Sequence, residues 1–128
     1  MLDPRQRVGK DGESRAEQYL RRRGYRILQR NLKSSSGEMD LIAEDGGVLV
    51  FVEVKARQTE ACGGARYAVD SKKQARIVRQ AAYYLARHRI RDRPCRFDVV
   101  LVSGEESRDG SIELIQDAFQ AGDIDLHC

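Results

Sequence analysis

The chain has 128 residues, enough for one domain with its own core, and 34% of them are charged. It contains no apolar run of 18 residues and no hydrophobic segment at its start, so we expect neither a membrane span nor a signal peptide. The three cysteines are widely separated and form no Cys-x-x-Cys pair. This favours reduced, non-ligating thiols in a cytoplasmic protein.

The net charge of +3 conceals a separation of charge along the sequence. Residues 1–33 carry ten Lys or Arg against four acids, and residues 66–96 carry ten against two. Residues 34–65 carry two basic residues against six acids, and residues 97–128 carry one against eight. Two basic segments that flank an acidic centre indicate a polyanion-binding surface. The simpler interpretation is a basic protein with ordinary charged helices.

The first third of the chain predicts a helix, a strand and a loop. Apolar residues at helical spacing predict a helix over residues 12–23, with Gly24 as the left-handed residue that ends it. Residues 1–11 are polar and are expected to be frayed. Residues 25–28 alternate as a half-exposed strand, and the polar run 31–37 predicts a loop.

The middle of the chain predicts a β-hairpin with a buried second strand. Residues 48–55 are almost all β-branched or apolar, as in a strand that is covered on both faces. Gly46 and Gly47 separate this run from the apolar residues 37–43 and suit a two-residue turn. With those glycines in the turn, the register of the two strands is fixed.

This register brings charged side chains together at one end of the hairpin. Asp40 faces Glu53 across the strands, and a period of two places Lys55 on the same face as Glu53. Carboxylates are seldom buried unless they are paired or bind a metal. The ordinary explanation is a salt bridge between Lys55 and one acid. The same spacing also supplies two hard oxygen ligands for Mg²⁺ and an adjacent ammonium, which suits phosphodiester hydrolysis.

The second half of the chain predicts a helix and two strands. Ser71 is an expected N-cap for a helix that extends to about residue 89. Residues 95–102 and 112–115 read as strands, and Asp98 within the first is expected to have a structural partner. Residues 120–128 are acidic and expected to be frayed. Tyr83 and Tyr84 are expected to be half-buried core residues, with stacking platforms for bases as the alternative. The apolar stripe of the helix comprises Ala75, Val78, Ala81, Ala82 and Leu85.

The predicted order is α-β-β-β-α-β-β within a single domain over residues 1–128. A hairpin, a crossover helix and a returning strand predict an α/β fold, with a mixed β-sheet flanked by helices.

The residues around the acidic hairpin resemble a known nuclease core. Asp40 followed by Glu53-Val54-Lys55 resembles the PD-(D/E)xK nuclease core, with Met39 where the superfamily has proline. A longer pattern is similar to the YraN-like family of small predicted bacterial endonucleases, which are related to archaeal Holliday-junction resolvases. It extends over roughly residues 5–120 and comprises Gly12-Glu13, Tyr19-Leu20, Gly24-Tyr25, Asn31 and the runs 37–43, 51–57 and 96–100.

The resemblance implies a restriction-endonuclease-like core and a Mg²⁺- or Mn²⁺-dependent DNA endonuclease. Asp40 and Glu53 would bind the metal, helped by the Val54 carbonyl. Lys55 would orient or activate the attacking water. By resemblance to the resolvases, Glu13 would support this metal site or a second one. On spacing alone, the favoured role of Glu13 is that of a helix-dipole partner or cap.

DNA contacts are expected from basic residues near this site. Arg57 shares the face of Lys55, and Lys72, Lys73 and Arg76 occupy the first turns of the second helix, where phosphates are favoured. Branched DNA is implied by the resemblance alone, and a homodimer with two active sites is expected if junctions are the substrate. The alternative is a non-catalytic nucleic-acid-binding or protein-interaction module that keeps the same core.

Overall fold

A computed structural model describes residues 4–35, 37–56, 71–102 and 112–120. The elements follow the predicted order α-β-β-β-α-β-β. They are α1 (Pro4–Arg22), β1 (Arg26–Ser34), β2 (Gly37–Asp45), β3 (Val48–Ala56), α2 (Ser71–Arg87), β4 (Cys95–Val102) and β5 (Ile112–Ile115). Neither described helix is long and apolar enough to cross a membrane.

The five strands form one mixed sheet in the order β1-β2-β3-β4-β5. The strands β1, β2 and β3 are antiparallel, β4 is parallel to β3, and β5 is antiparallel to β4. Asp45 pairs with Val48 and Leu41 with Val52, so the register expected from a two-residue turn is confirmed. The predicted α/β architecture, a mixed sheet flanked by helices, is also confirmed.

The two helices cover opposite faces of β3. Ala16 and Leu20 of α1 belong to a core with Val50 and Val52. The α2 residues Ile77, Val78, Ala81, Tyr84 and Leu85 belong to a second core with Leu49 and Phe51. Because successive strand residues point to opposite faces, β3 is buried on both sides, as its apolar sequence predicted.

Both helices differ from their predicted limits and faces. Helix α1 begins at Pro4, earlier than predicted, and proline suits a first helical position because its missing N–H would have no partner there. Helix α2 ends at Arg87 and is rotated from the predicted face. Tyr84 lies in the core and Tyr83 is 48% exposed, whereas both were expected to be partly buried.

The polar run that predicted a loop is largely part of a strand. Strand β1 continues to Ser34, and the ladder with β2 includes Leu32 opposite Met39 and Ser34 opposite Gly37. Leu32 packs against the α2-side core. Strand pairing and burial therefore override the low strand propensity of Asn, Lys and Ser in this run.

Candidate functional site

The site lies where β2 and β3 stop pairing. The ladder between them ends at Leu41 opposite Val52, one residue before Asp40 and Glu53 would face each other. The carboxylate of Asp40 instead accepts a hydrogen bond from the Val54 backbone N–H at 2.8 Å. A side-chain oxygen thus replaces a strand partner for this amide, and it holds Asp40 at the end of the hairpin.

Three carboxylates from two elements converge beside this break in the sheet. One oxygen each of Glu13, Glu38 and Asp40 lies within 4.8 Å of the others. Glu13 comes from α1, while Glu38 and Asp40 are two residues apart on β2. Carboxylate oxygens are the ligands that Mg²⁺ and Mn²⁺ prefer. The predicted pair of Glu13 and Asp40 is therefore brought together with Glu38, which sequence analysis did not single out.

The signal for Glu38 is present in the sequence. In Gly37-Glu38-Met39-Asp40 the two acids are separated by one residue, the spacing that places side chains on one face of a strand. Cross-strand pairing with Glu53 indicates Asp40 alone, whereas the spacing along β2 indicates Glu38 as well.

The carboxylates raise one another's pKa. Burial, followed by the nearby charge of Glu53, raises the pKa of Asp40 from 3.8 to about 8, against the lowering effect of the Val54 N–H. Burial and the charges of Glu38 and Glu53 raise the pKa of Glu13 as well. Electrostatic repulsion between these carboxylates disfavours their charged forms, and a bound cation would offset that repulsion.

Glu53 is the fourth carboxylate of this cluster and has only one of its oxygens paired. The residue is 4% exposed, and its Oε2 lies 3.0 Å from Lys73 Nζ. Its Oε1 is buried and accepts no hydrogen bond from any described residue. Two buried carboxyl groups this close are unfavourable when both are charged, and either a proton on Asp40, which then donates to Glu53, or a metal ion can relieve that.

Lysine contacts at this site differ from the expected ones. Lys73 of α2 forms the ion pair with Glu53, although it was predicted as a DNA contact. Lys55 is half-buried on β3 and forms no salt bridge with a carboxylate in the described part of the chain. Helix α2 thus adds a lysine that the sequence did not indicate, and the expected convergence of Lys55 with the two acids stays a prediction.

Asn31 connects two carboxylates of the cluster. With its amide oriented to satisfy the surrounding groups, Asn31 Nδ2 donates to Glu13 Oε1 at 2.7 Å and to Glu38 Oε1 at 3.0 Å. Its φ of 50° lies in the left-handed region, which asparagine tolerates better than most residues. Asn31 thus bridges the carboxylates of Glu13 on α1 and Glu38 on β2. The sequence pattern did not indicate this role.

The predicted DNA contacts lie close to the cluster where they are described. Lys72 is exposed at the start of α2. Arg76 packs on Gly37, where an added Cβ would lie 3.2 Å from Arg76 Cδ. Arg57 lies outside the described residues. The Val54 N–H binds Asp40, and the expected role of its carbonyl as a metal ligand stays a prediction.

A second buried carboxylate occupies a different part of the sheet. Asp98 is fully buried and accepts hydrogen bonds from Tyr25 Oη at 2.7 Å, Arg96 Nε at 2.9 Å and the Asp117 backbone N–H at 2.9 Å. Arg96 Nη2 also donates to Asp45 Oδ2 at 2.9 Å. Both oxygens of Asp98 have donors, so this network is structural, as expected for Asp98.

Comparison with known proteins places the site within one family. The model described as "Uncharacterised protein family UPF0102" matches residues 12–102, a range that contains all four carboxylates. A UPF0102 protein of Desulfosudis oleivorans is 46% identical over 121 residues, covering 94% of this chain and 96% of the relative. One of Symbiobacterium thermophilum is 52% identical over 117 residues, covering 90% and 98%. The chain therefore belongs to the UPF0102 family, with the YraN-like motifs described above.

Proposed function

We propose that the protein is a metal-dependent DNA endonuclease that hydrolyses phosphodiester bonds. The observation that carries this proposal is the convergence of Glu13, Glu38 and Asp40 on a volume that suits a divalent cation. A non-catalytic nucleic-acid-binding module would gain nothing from carboxylates crowded near phosphate, since they repel the ligand. The acidic cluster therefore favours the enzyme over the binding module.

Some residues of the site would bind the metal, and others position those ligands. Glu13, Glu38 and Asp40 would hold Mg²⁺ or Mn²⁺, and Glu53 Oε1 is a further donor on the β3 side. When bound, the metal supplies charge neutralisation at the phosphate and a lowered pKa for a coordinated water. Lys73 fixes Glu53 through its other oxygen.

Lys55 remains the proposed residue for orienting the attacking water. It lies two residues beyond Glu53 on β3, so strand alternation places both on the same face. Its ammonium forms no ion pair with the carboxylates described here, which leaves it available to a phosphate or a water. Substitution by methionine would remove this charge and keep the length of the side chain.

Metal binding and cleavage by matched variants test the proposal. The wild-type protein should bind Mn²⁺ in calorimetry and cut DNA when Mn²⁺ or Mg²⁺ is added. Asp40→Asn and Glu38→Gln should each lower Mn²⁺ affinity at least tenfold and reduce cleavage by roughly a hundredfold or more. Glu17→Gln is the control, because Glu17 lies one turn from Glu13 on α1 but pairs with Arg30 and Arg21.

Two results would contradict the metal assignment. Full cleavage by purified Asp40→Asn would remove Asp40 from the site. Equal losses of Mn²⁺ affinity in Glu17→Gln and Glu38→Gln would show a general effect of acidic charge and no specific cluster.

By resemblance, we extend the proposal to branched DNA and a symmetric homodimer. The described part of the chain holds one cluster of this kind, whereas opposed cuts in a four-way junction need two. Two-fold pairing is the commonest closed assembly that would supply the second. Sedimentation at micromolar concentration, with and without junction DNA, tests this extension. A protein that stays monomeric on the junction and still cuts DNA would point to a flap or single-strand substrate.

A further inference from the structure

The solvent-facing side of α2 carries four cations and one exposed aromatic ring. We call this set the α2 stripe, and its members are Lys72, Arg76, Arg79, Tyr83 and Arg87, all exposed. They follow one another at spacings of three or four residues, so they lie along one face of the helix. Tyr84, the next residue after Tyr83, is in the core, which shows that the exposure of Tyr83 follows from the helix orientation.

The charge of the α2 stripe is not neutralised within its own helix. Helix α2 contains no Asp or Glu between Ser71 and Arg87. None of the stripe cations forms an ion pair with an acid in the described part of the chain. On α1, by contrast, Glu17 binds both Arg21 and Arg30. The stripe is therefore a surface on which anions find uncompensated positive charge.

The start of the α2 stripe adjoins the carboxylate cluster. Lys73, beside Lys72, forms the ion pair with Glu53. Arg76 packs against Gly37, the residue before Glu38, where an added Cβ would lie 3.2 Å from Arg76 Cδ. From Lys72 the stripe extends along α2 to Tyr83 over about 16 Å, at 1.5 Å per residue. A polyanion placed at the cluster can thus continue along the helix for several nucleotides.

We propose that the α2 stripe binds a single-stranded segment of nucleic acid, with Tyr83 stacked on one of its bases. This inference rests on the proposed function and names the substrate class for the same site. Cations spaced along a surface follow a phosphate backbone, and an exposed aromatic ring between them stacks on an unpaired base. In a duplex the base faces are already stacked, so an aromatic side chain on the surface of α2 has no free base face to contact. The combination favours a single strand, such as the unpaired segment of a flap or another branched DNA, over a continuous duplex.

Binding without metal tests this inference separately from catalysis. Fluorescence anisotropy with a labelled single-stranded oligonucleotide and a blunt duplex is measured in EDTA, where no cleavage occurs. Tyr83→Ala should weaken single-strand binding by about tenfold and duplex binding by less than about twofold. Tyr83→Phe, which keeps the ring, should bind like the wild type. Arg79→Gln should weaken binding to both and reduce the salt slope by about one.

A matched control and an independent check of folding complete the design. Tyr19→Ala truncates an aromatic residue on α1, whose ring lies under Arg23, and should leave single-strand binding unchanged. Thermal unfolding of each variant shows whether a loss of binding reflects a loss of structure, and Tyr83, being exposed, should tolerate truncation.

Two outcomes overturn the inference, and neither depends on the fate of the proposed function. Unchanged single-strand binding by Tyr83→Ala removes the stacking role even if the protein cuts DNA with Mn²⁺. Equal losses on single strand and duplex replace the single-strand assignment with general phosphate binding. Conversely, a protein that binds single strands through Tyr83 but cuts no DNA with any metal supports this inference and contradicts the nuclease assignment.

Discussion

Asp98 and Asp40 are both aspartates on strands of one sheet, and their surroundings are opposite. Around Asp98, a hydroxyl, a guanidinium and a backbone amide donate hydrogen bonds to both carboxylate oxygens. Around Asp40, one backbone amide is the donor and the nearest charges belong to Glu53 and Glu13. Hydrogen-bond donors stabilise the negative charge of Asp98 within the fold. Around Asp40, several acidic groups lie close together with few donors. This difference separates a carboxylate that the fold neutralises from one that could bind a cation.

The largest expected effect comes from removing Arg96, the cation that neutralises Asp98. Arg96→Met leaves Asp98 buried with only Tyr25 and Asp117 as donors, so we expect a loss of about 3 kcal/mol in the free energy of unfolding. Urea unfolding measures this loss. The control is Arg93→Met, which breaks the more exposed ion pair with Glu44 and should cost about 1 kcal/mol or less. Similar losses in both variants would contradict a special role for the Asp98 network.

The second prediction concerns the effect of pH on the metal-free protein. Because folding raises the pKa of Asp40 from 3.8 to about 8, the native state keeps a proton that the unfolded chain releases. The stability contributed by this proton is complete below the unfolded pKa of 3.8 and is lost as pH rises toward 8. Asp40→Asn should remove this fall and be more stable than the wild type at pH 9, by on the order of 2 kcal/mol.

Unfolding followed between pH 5 and pH 9 in EDTA checks this expectation. Excess Mn²⁺ should also raise the stability of the wild-type protein at pH 9, because a ligand that binds only the native state stabilises it. A wild-type protein whose stability rises steadily over this pH range in EDTA would show that the Asp40 carboxylate is not crowded as described.

A smaller effect is expected from Asn31, whose amide holds Glu13 and Glu38 together. Asn31→Ala removes the amide that binds Glu13 and Glu38, and we expect Mn²⁺ affinity to fall by about tenfold. Asn31→Gly separates this effect from backbone strain, because glycine adopts positive φ at little cost. It should lose the same affinity while remaining more stable than Asn31→Ala. Calorimetry of the two variants decides, and unchanged affinity in both would make the Asn31 contacts incidental.

The smallest expected effect concerns a buried amide close to the cluster. Gln80 is 2% exposed, and neither polar atom of its side chain has a hydrogen-bond partner among the described residues. Gln80→Met keeps the length and removes the unpaired amide, so stability should rise by about 1 kcal/mol. Gln116→Met is the opposite case, because Gln116 donates to Tyr25 Oη, and stability should fall by a similar amount. A loss of stability in Gln80→Met would show that its amide is satisfied.

Local sequence signals predicted the parts of the fold that depend on neighbouring residues. The two glycines after Asp45 determined the hairpin register, and the apolar run of β3 predicted a doubly buried strand. Strands β4 and β5 have the predicted limits, 95–102 and 112–115. The strand through Asn31 was missed because its composition is typical of a loop, and only its ladder with β2 makes it a strand.

The candidate site was predicted in part because it combines local and distant contacts. Asp40 and Glu53 lie close together just beyond the end of the hairpin ladder, near where the turn glycines and the apolar run predicted them. The ion pair of Lys73 with Glu53 depends on how α2 packs across the sheet, so it has no local signal in the sequence. Glu38 could have been found from its spacing to Asp40. The contacts of Asn31 depend on a left-handed backbone that its sequence context permits but does not require.

Because the Val54 N–H donates to the Asp40 carboxylate, hydrogen exchange at the Val54 amide reports on the carboxylate cluster. Most strand amides are protected from hydrogen exchange by a partner on the adjacent backbone, whereas the Val54 amide is protected by a side chain that belongs to the cluster. Its exchange rate therefore follows the orientation of one carboxylate and not the opening of the sheet. A metal that immobilises Asp40 should slow exchange at Val54 while leaving the paired amides of β3 unchanged. Occupancy of the cluster would then be visible at a single backbone position, without any measurement of catalysis.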